Sequence, residues 1–214
     1  HNDSFPGSHP LAVGPLGYNG SKAGMQLISK ADVVLALGTR LNPFSTLPGY
    51  GIDYWPKNAK IIQVDMNPDR IGLTKKVTVG ICGDAKMVAQ QILEKLSKNA
   101  GDSGREERKN LIHQTKSAWL QTLTGLDHEE DDPGTVWNKE ARERDKDRMS
   151  PRQAWRAIQE AMPTDAIISS DIGNNCAIGN AYPTFEKGRK YLAPGLFGPC
   201  GYGFPAILGA KIGC

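Results

Sequence analysis

The chain has 214 residues, room for one or two ordinary domains, and its 26 Lys plus Arg against 23 Asp plus Glu leave a net charge of +3. An excess so small and scattered excludes a nucleic-acid or membrane-surface field, and 39% hydrophobic residues exclude a disordered chain. The longest apolar run, Val33-Val34-Leu35-Ala36-Leu37, falls far short of the roughly 20 residues that span a bilayer.

The chain opens on His1 with no basic and apolar leader and closes on Gly209-Ala210-Lys211-Ile212-Gly213-Cys214, a helical pattern with no stop signal. This reads as an internal fragment of a longer protein. The cysteines Cys82, Cys176, Cys200 and Cys214 form no C-x-x-C pair, and the histidines are not at metal-ligand spacing. The expectation is a reducing, cytoplasmic setting with no metal site in this chain.

Along the first hundred residues, helix and strand alternate. Ser21 predicts the cap of a helix through Met25, Leu27 and Ile28. Residues 32–37 are a continuous apolar run ending at Gly38, the pattern of a strand buried on both faces. A second such strand spans 60–65, closed by Asn67-Pro68, and a third 77–81. Asp84 then caps a helix with Met87, Val88, Ile92, Leu93 and Leu96 on one face. Strands alternating with helices predict an α/β fold: a Rossmann-like domain with a parallel sheet and right-handed crossovers, over residues 1–98.

Residues 99–148 read as a linker and charged excursion. A Gly/Ser break at 99–104 precedes a helix over 105–124 with Leu111, Ala118, Trp119 and Thr122 along one face. Residues 127–148 are dense in charge, acidic first and then mixed, the pattern of a solvated linker. Residues 149–214 begin a second α/β domain. Ser150-Pro151 starts a helix that turns Ala154, Trp155 and Ile158 inward, Pro163 ends it, and residues 166–170 form a buried strand.

Two loops carry chemical potential. Gly173-Asn174-Asn175 lies at a strand's carboxyl end, where open α/β sheets bind ligands, and precedes a helix predicted from Cys176. Glycine permits close backbone approach, and a helix amino terminus offers unpaired N–H groups to an anion. The plain alternative is an ordinary capped helix. The second loop, 194–205, is a Gly/Pro lattice leading into a small-residue helix (Ala206, Gly209, Ala210), suited to a flat ligand or to tight packing. Within it Cys200 has no basic neighbour in sequence and reads as a pocket-lining thiol rather than a nucleophile. Gly14, Gly17 and Gly20 follow no strand and make no dinucleotide fingerprint. Gly38-Thr39-Arg40 ends a strand, and its arginine suits either an ion pair within the domain or a bound ligand. His1, Asn2, Asp3 and His9 form a polar cluster of the kind that lines clefts.

Taken together, these segments resemble the thiamine diphosphate-dependent enzymes of the acetolactate synthase and 2-oxo acid decarboxylase superfamily. His9-Pro10-Leu11 to Gly17 with Gly20, residues 31–40, residues 61–68 and Gly83-Asp84-Ala85 are similar to landmarks of that family's central domain. Asp171-Ile172-Gly173-Asn174-Asn175 falls where relatives place a loop touching the diphosphate. Residues 1–10, the long excursion and residues 193–201 resemble the sulfoacetaldehyde acetyltransferase branch, which cleaves sulfoacetaldehyde with phosphate to acetyl phosphate and sulfite in taurine and sulfonate breakdown.

The resemblance implies thiamine diphosphate and Mg2+ as cofactors, sulfoacetaldehyde and phosphate as substrates, no nucleic acid or membrane partner, and a homodimer or homotetramer. It implies cofactor contacts from Gly173, Asn174, Asn175, Gly198, Pro199 and Cys200, with Gly198 offering a backbone carbonyl. Asn174 and Asn175 replace a Gln-His pair of relatives. Cys200 replaces a bulky Met, so that Phe197 or Tyr202 fills the space or the alignment shifts locally. The family's catalytic glutamate and metal-binding motif fall outside these residues, which alone are expected to be inactive. The alternatives are a 2-oxo acid-using relative on the same scaffold and a non-catalytic nucleotide-binding or regulatory protein.

Overall fold

The computed structural model describes residues 3–17, 20–97, 104–128, 148–188, 190–195 and 197–214. Most of the charged segment 127–148 lies outside the described residues, as do His1 and Asn2. Contacts group the chain into two units, Leu16–Thr115 and a second formed by His1–Pro15 with Lys116–Cys214.

In the unit Leu16–Thr115, Ser21 caps α1 (Lys22–Ile28), its hydroxyl accepting the Gly24 N–H at 3.3 Å. Strands β1 (Val33–Leu37), β2 (Lys60–Asp65) and β3 (Val79–Cys82) form a parallel sheet in that order, with Leu35 beside Ile62 and Val64 beside Ile81. Ala36, Leu41 and Ile61 make a core on one face, backed by Val34, Trp55 and Val77. Burial of β1 on both faces is not what the structure has: Val33, Leu35 and Leu37 are each at least 40% exposed. The exposed residues alternate with Val34 and buried Ala36, so only one face of β1 is covered, while α2 (Ala85–Ser97) packs on the central strand β2.

The third strand begins two residues later than its apolar run, because Thr78 uses its own hydroxyl to accept the Ile61 N–H at 3.2 Å. Asp84 caps α2 as expected, its carboxylate accepting the Met87 N–H at 3.0 Å. The inward stripe is narrower than predicted: Ala85, Val88, Ala89 and Ile92 are partly buried, while Met87, Leu93 and Leu96 are exposed. The connections β1–β2 and β2–β3 contain only 3-10 turns, Pro43–Ser45 and Pro68–Arg70. Each follows an Asn whose side chain accepts a turn N–H at 3.0 Å, Asn42 from Ser45 and Asn67 from Asp69. These Asn-Pro starts favour tight turns.

Gln63 ties the carboxyl end of this sheet together. It is 1% exposed, donates from Nε2 to the carbonyls of Thr39 (3.0 Å) and Arg70 (3.2 Å), and accepts the Gly72 N–H at 2.8 Å. Arg40 makes no ion pair among the described residues; its carbonyl, with that of Leu41, accepts the Thr74 hydroxyl instead.

Helix α3 (Arg105–His128) gives its first residues to one unit and, from Lys116, the rest to the other. Its half-buried line is Ile112, Thr115, Lys116, Trp119 and Leu123, a heptad-like spacing; the predicted Leu111, Ala118 and Thr122 are exposed. In the second unit Ser150 and Gln153 form a capping box at the start of α4 (Pro151–Ala161). Ala154 and Trp155 are half-buried, but Ile158 is exposed, and Gln159 turns inward to accept the Thr184 N–H at 3.0 Å. The predicted strand shrinks to β4 (Ile168–Ser169), parallel to β5 (Tyr191–Leu192). Between them runs α5 (Asn174–Ala181), and α6 (Gly203–Gly213) packs on both strands.

Of the polar cluster near the start, the described residues Asp3 and His9 make local structural bonds. Asp3 is buried, and one carboxylate oxygen accepts the N–H groups of Lys190 (2.8 Å) and Tyr191 (3.2 Å). The Gly7 N–H donates to the Phe185 carbonyl at 2.9 Å, and Ser8 bonds Glu186 through both its amide and its hydroxyl. His9 accepts the Leu11 N–H at 3.1 Å and stacks edgewise on Phe5.

Candidate functional site

Because β4 and β5 are parallel, the chain leaves both at the same edge, and the two loops singled out in sequence emerge side by side. Ser170-Asp171-Ile172-Gly173 follows β4 and enters α5; residues 193–203 follow β5 and enter α6. Helix α5 starts two residues earlier than predicted. Gly173 is its N-cap at φ +111° and ψ −161°, a conformation open essentially to glycine alone, and no side chain caps the helix. Asn174 and Asn175 are therefore the first two helical residues. Both are exposed, and a first turn without a side-chain cap directs N–H groups outward.

The second loop is held against the first by Asp171. Its carboxylate accepts the N–H of Ile172 at 2.8 Å, the N–H of Gly201 at 3.0 Å to each oxygen, and the N–H of Gly203 at 3.3 Å. The Ile172 N–H chiefly, with those of Gly203, Gly201 and Tyr202, holds this carboxyl below the usual carboxylate range against the opposing effect of partial burial.

Glycines make the approach possible. A Cβ on Gly203 would lie 3.1 Å from the Asp171 nitrogen, and one on Gly198 (φ +58°) 3.0 Å from Ile172 Cδ1. Beneath the loops, Tyr191 packs on Phe185 and donates its hydroxyl to the Cys176 carbonyl at 3.4 Å. Burial pushes the Cys176 thiol up, although its hydrogen bond from Asn180 works the other way.

The structure thus brings Gly198 to Ile172, the residue preceding Gly173, and ties the stretch after Cys200 to Asp171. Pro199 and Cys200 are exposed at the turn. Phe197 is 91% exposed, so of the two aromatics considered as fillers beside Cys200 only Tyr202 is partly buried. Asp171 and Ile172 join the loops, yet neither stood out among the candidate site residues. The available signal was an acid one residue past a strand, facing a glycine loop rich in N–H donors.

What the edge offers is a bare helix terminus, two exposed amides and a glycine turn with room for close approach. This donor set fits a phosphate or diphosphate group. Among the described residues no group of three or more His, Cys, Asp or Glu could hold a metal ion, and no helix is long and apolar enough to cross a membrane.

Two family models match the chain. Residues 1–92 match the model of the thiamine pyrophosphate enzyme central domain, and residues 171–214 that of the C-terminal thiamine pyrophosphate-binding domain. Over its whole length the chain is 80% identical to a protein of Rhizobium meliloti strain 1021 named a probable sulfoacetaldehyde acetyltransferase, and covers 36% of it. It is 78% identical to the sulfoacetaldehyde acetyltransferase of Roseovarius nubinhibens, again with all of this chain aligned to 36% of that one. Against the acetolactate synthase large subunit of Corynebacterium glutamicum, identity falls to 29%, over 98% of this chain and 30% of the other. The chain therefore spans little more than a third of the length of these sulfoacetaldehyde acetyltransferases.

Proposed function

Because the chain belongs to the thiamine pyrophosphate enzymes, we propose that the full-length protein containing it converts sulfoacetaldehyde and phosphate into acetyl phosphate and sulfite, using thiamine diphosphate and Mg2+. One observation carries the choice of substrate: identity of 78–80% to sulfoacetaldehyde acetyltransferases against 29% to an acetolactate synthase, over essentially the same residues. The reading extends to a cytoplasmic homodimer or homotetramer acting in taurine or sulfonate breakdown.

When bound, the cofactor supplies a nucleophilic carbon and an electron sink. The part played by this chain is to hold its diphosphate. Gly173 leaves the start of α5 bare, so the N–H groups of Asn174 and Asn175 and their side-chain amides are offered to phosphate oxygens. Gly198, packed on Ile172, and Pro199, two residues before the Gly201 bound by Asp171, shape the second wall, with a backbone carbonyl at Gly198 able to accept from an amino group. Cys200 lines that wall. Mg2+ ligation and action on the substrate carbonyl are assigned to none of these residues.

The test is to incubate that protein with thiamine diphosphate, Mg2+ and phosphate, and to supply sulfoacetaldehyde or pyruvate. Phosphate-dependent release of sulfite and acetyl phosphate from sulfoacetaldehyde, with little turnover of pyruvate, is expected. Turnover of pyruvate alone would keep the cofactor and remove the sulfonate assignment.

A further inference from the structure

The carboxylate of Asp171 has a geometry that neither its position in sequence nor the comparisons assign a role. It sits one residue past β4 and collects three backbone N–H groups, one from its own loop and two, Gly201 and Gly203, from 30 and 32 residues away. Both of its oxygens are used. The two distant donors bracket Tyr202 at the start of α6 and lie just past the Gly198-Pro199-Cys200 turn. On the near side, Ile172 is close enough to Gly198 that no side chain would fit there without displacement. The turn is therefore pinned at both ends by adjacent residues of one loop, through a packing contact at Gly198 and through an anion at Gly201 and Gly203.

We infer that Asp171 is a positioning residue, whose carboxylate locks the 198–203 loop in the conformation that receives the cofactor. The inference rests on the thiamine diphosphate reading above, but assigns Asp171 no contact with the cofactor itself. The physical argument is one of acceptor capacity. A carboxylate presents two oxygens and no donor, and so can take three converging N–H groups at once. An isosteric amide retains one oxygen and points an N–H2 at the remaining donors. The loop then loses charge-assisted hydrogen bonds, and glycines that carry no side-chain anchor are free to leave the bound geometry.

The test uses the full-length protein and its Asp171→Asn variant. Amide exchange over residues 198–203 should accelerate about tenfold or more, while the peptide covering α4 (Pro151–Ala161) is unchanged. The Kd for thiamine diphosphate should rise by about tenfold, with kcat recovered at saturating cofactor, a split that general destabilisation would not produce. As a measurement independent of any variant's folding, wild-type protection of 198–203 should be lost as pH falls. The folded carboxyl lies below its unfolded value of about 3.9, so the lock is intact above that pH and released as pH drops through the depressed value. Exchange that matches wild type in Asp171→Asn, or faster exchange with unchanged cofactor affinity, overturns the inference. Absence of thiamine diphosphate binding by the wild-type protein overturns the cofactor reading itself, and that is measured before any variant is made.

Discussion

Replacing Gln63 by Leu puts a slightly larger, branched apolar side chain in its place and removes the polar bridge between the turns at Thr39 and Arg70–Gly72. Three partners lose their bond, the carbonyls of Thr39 and Arg70 and the N–H of Gly72. Arg70 and Gly72 sit on an exposed turn where water can stand in, whereas the half-buried Thr39 carbonyl has less access to it. An orphaned group costs about 1–3 kcal/mol, and the added apolar burial returns part of that, leaving a net loss of about 0.5–2.5 kcal/mol. That loss is read as a fall in the unfolding free energy of the full-length protein in urea. The companion variant Gln63→Glu adds a sign. At a site 1% exposed and facing two carbonyls, a carboxyl can donate only when protonated, so its folded pKa is driven above the ordinary value of about 4.3. Its contribution is then present at low pH and lost as pH rises, and the variant should approach wild type near pH 5 and fall away toward pH 8. A Leu variant as stable in urea as wild type, or a Glu variant whose deficit does not change with pH, would refute the bridging role.

Gly179→Ala would place a methyl 2.5 Å from the Tyr191 hydroxyl, an overpacking cost of about 1–3 kcal/mol that outweighs the better helix propensity. In the Tyr191→Phe background the same change should cost less, and equal losses in both backgrounds would count against the clash. Ser150→Ala removes half of a capping box and should lower stability by about 1 kcal/mol in urea unfolding, with Ser150→Thr close to wild type. Cys176 is buried with a raised thiol pKa, so alkylation at pH 8 followed by peptide mapping should modify exposed Cys82 and Cys200 well before it.

The elements were legible where local chemistry decides them. Ser21, Asp84 and Ser150-Pro151 each announce a helix start that the structure confirms through a side-chain hydrogen bond. The runs 32–37 and 60–65 announce the first two strands of a parallel sheet. What failed was anything set by a partner distant in sequence. A continuous apolar run does not say which face of β1 is covered, so Leu35 was expected inside. The inward line of α3 runs through Ile112, Trp119 and Leu123, and Gln159 rather than Ile158 turns in on α4, because tertiary neighbours choose among several apolar stripes. At the candidate site the glycines and the loop from Asp171 were visible, but the bonds that Asp171 makes were not. Its partners are 30 and 32 residues away, and only the folded chain shows that they converge.

The bonds from Lys190 and Tyr191 to Asp3 also constrain the order of events during folding. They close a loop of 187 residues that contains the whole unit Leu16–Thr115 as an interruption of the other. Closing so long a flexible loop costs about 2 kcal/mol more than closing one of twenty residues. If the interrupting unit folds first, that loop is shortened before its ends meet. During synthesis, Leu16–Thr115 is complete while Lys190 has still to be added, so the ribosome imposes this sequence: the inner unit forms early, and Asp3 waits for its partners until nearly the whole of this stretch has emerged.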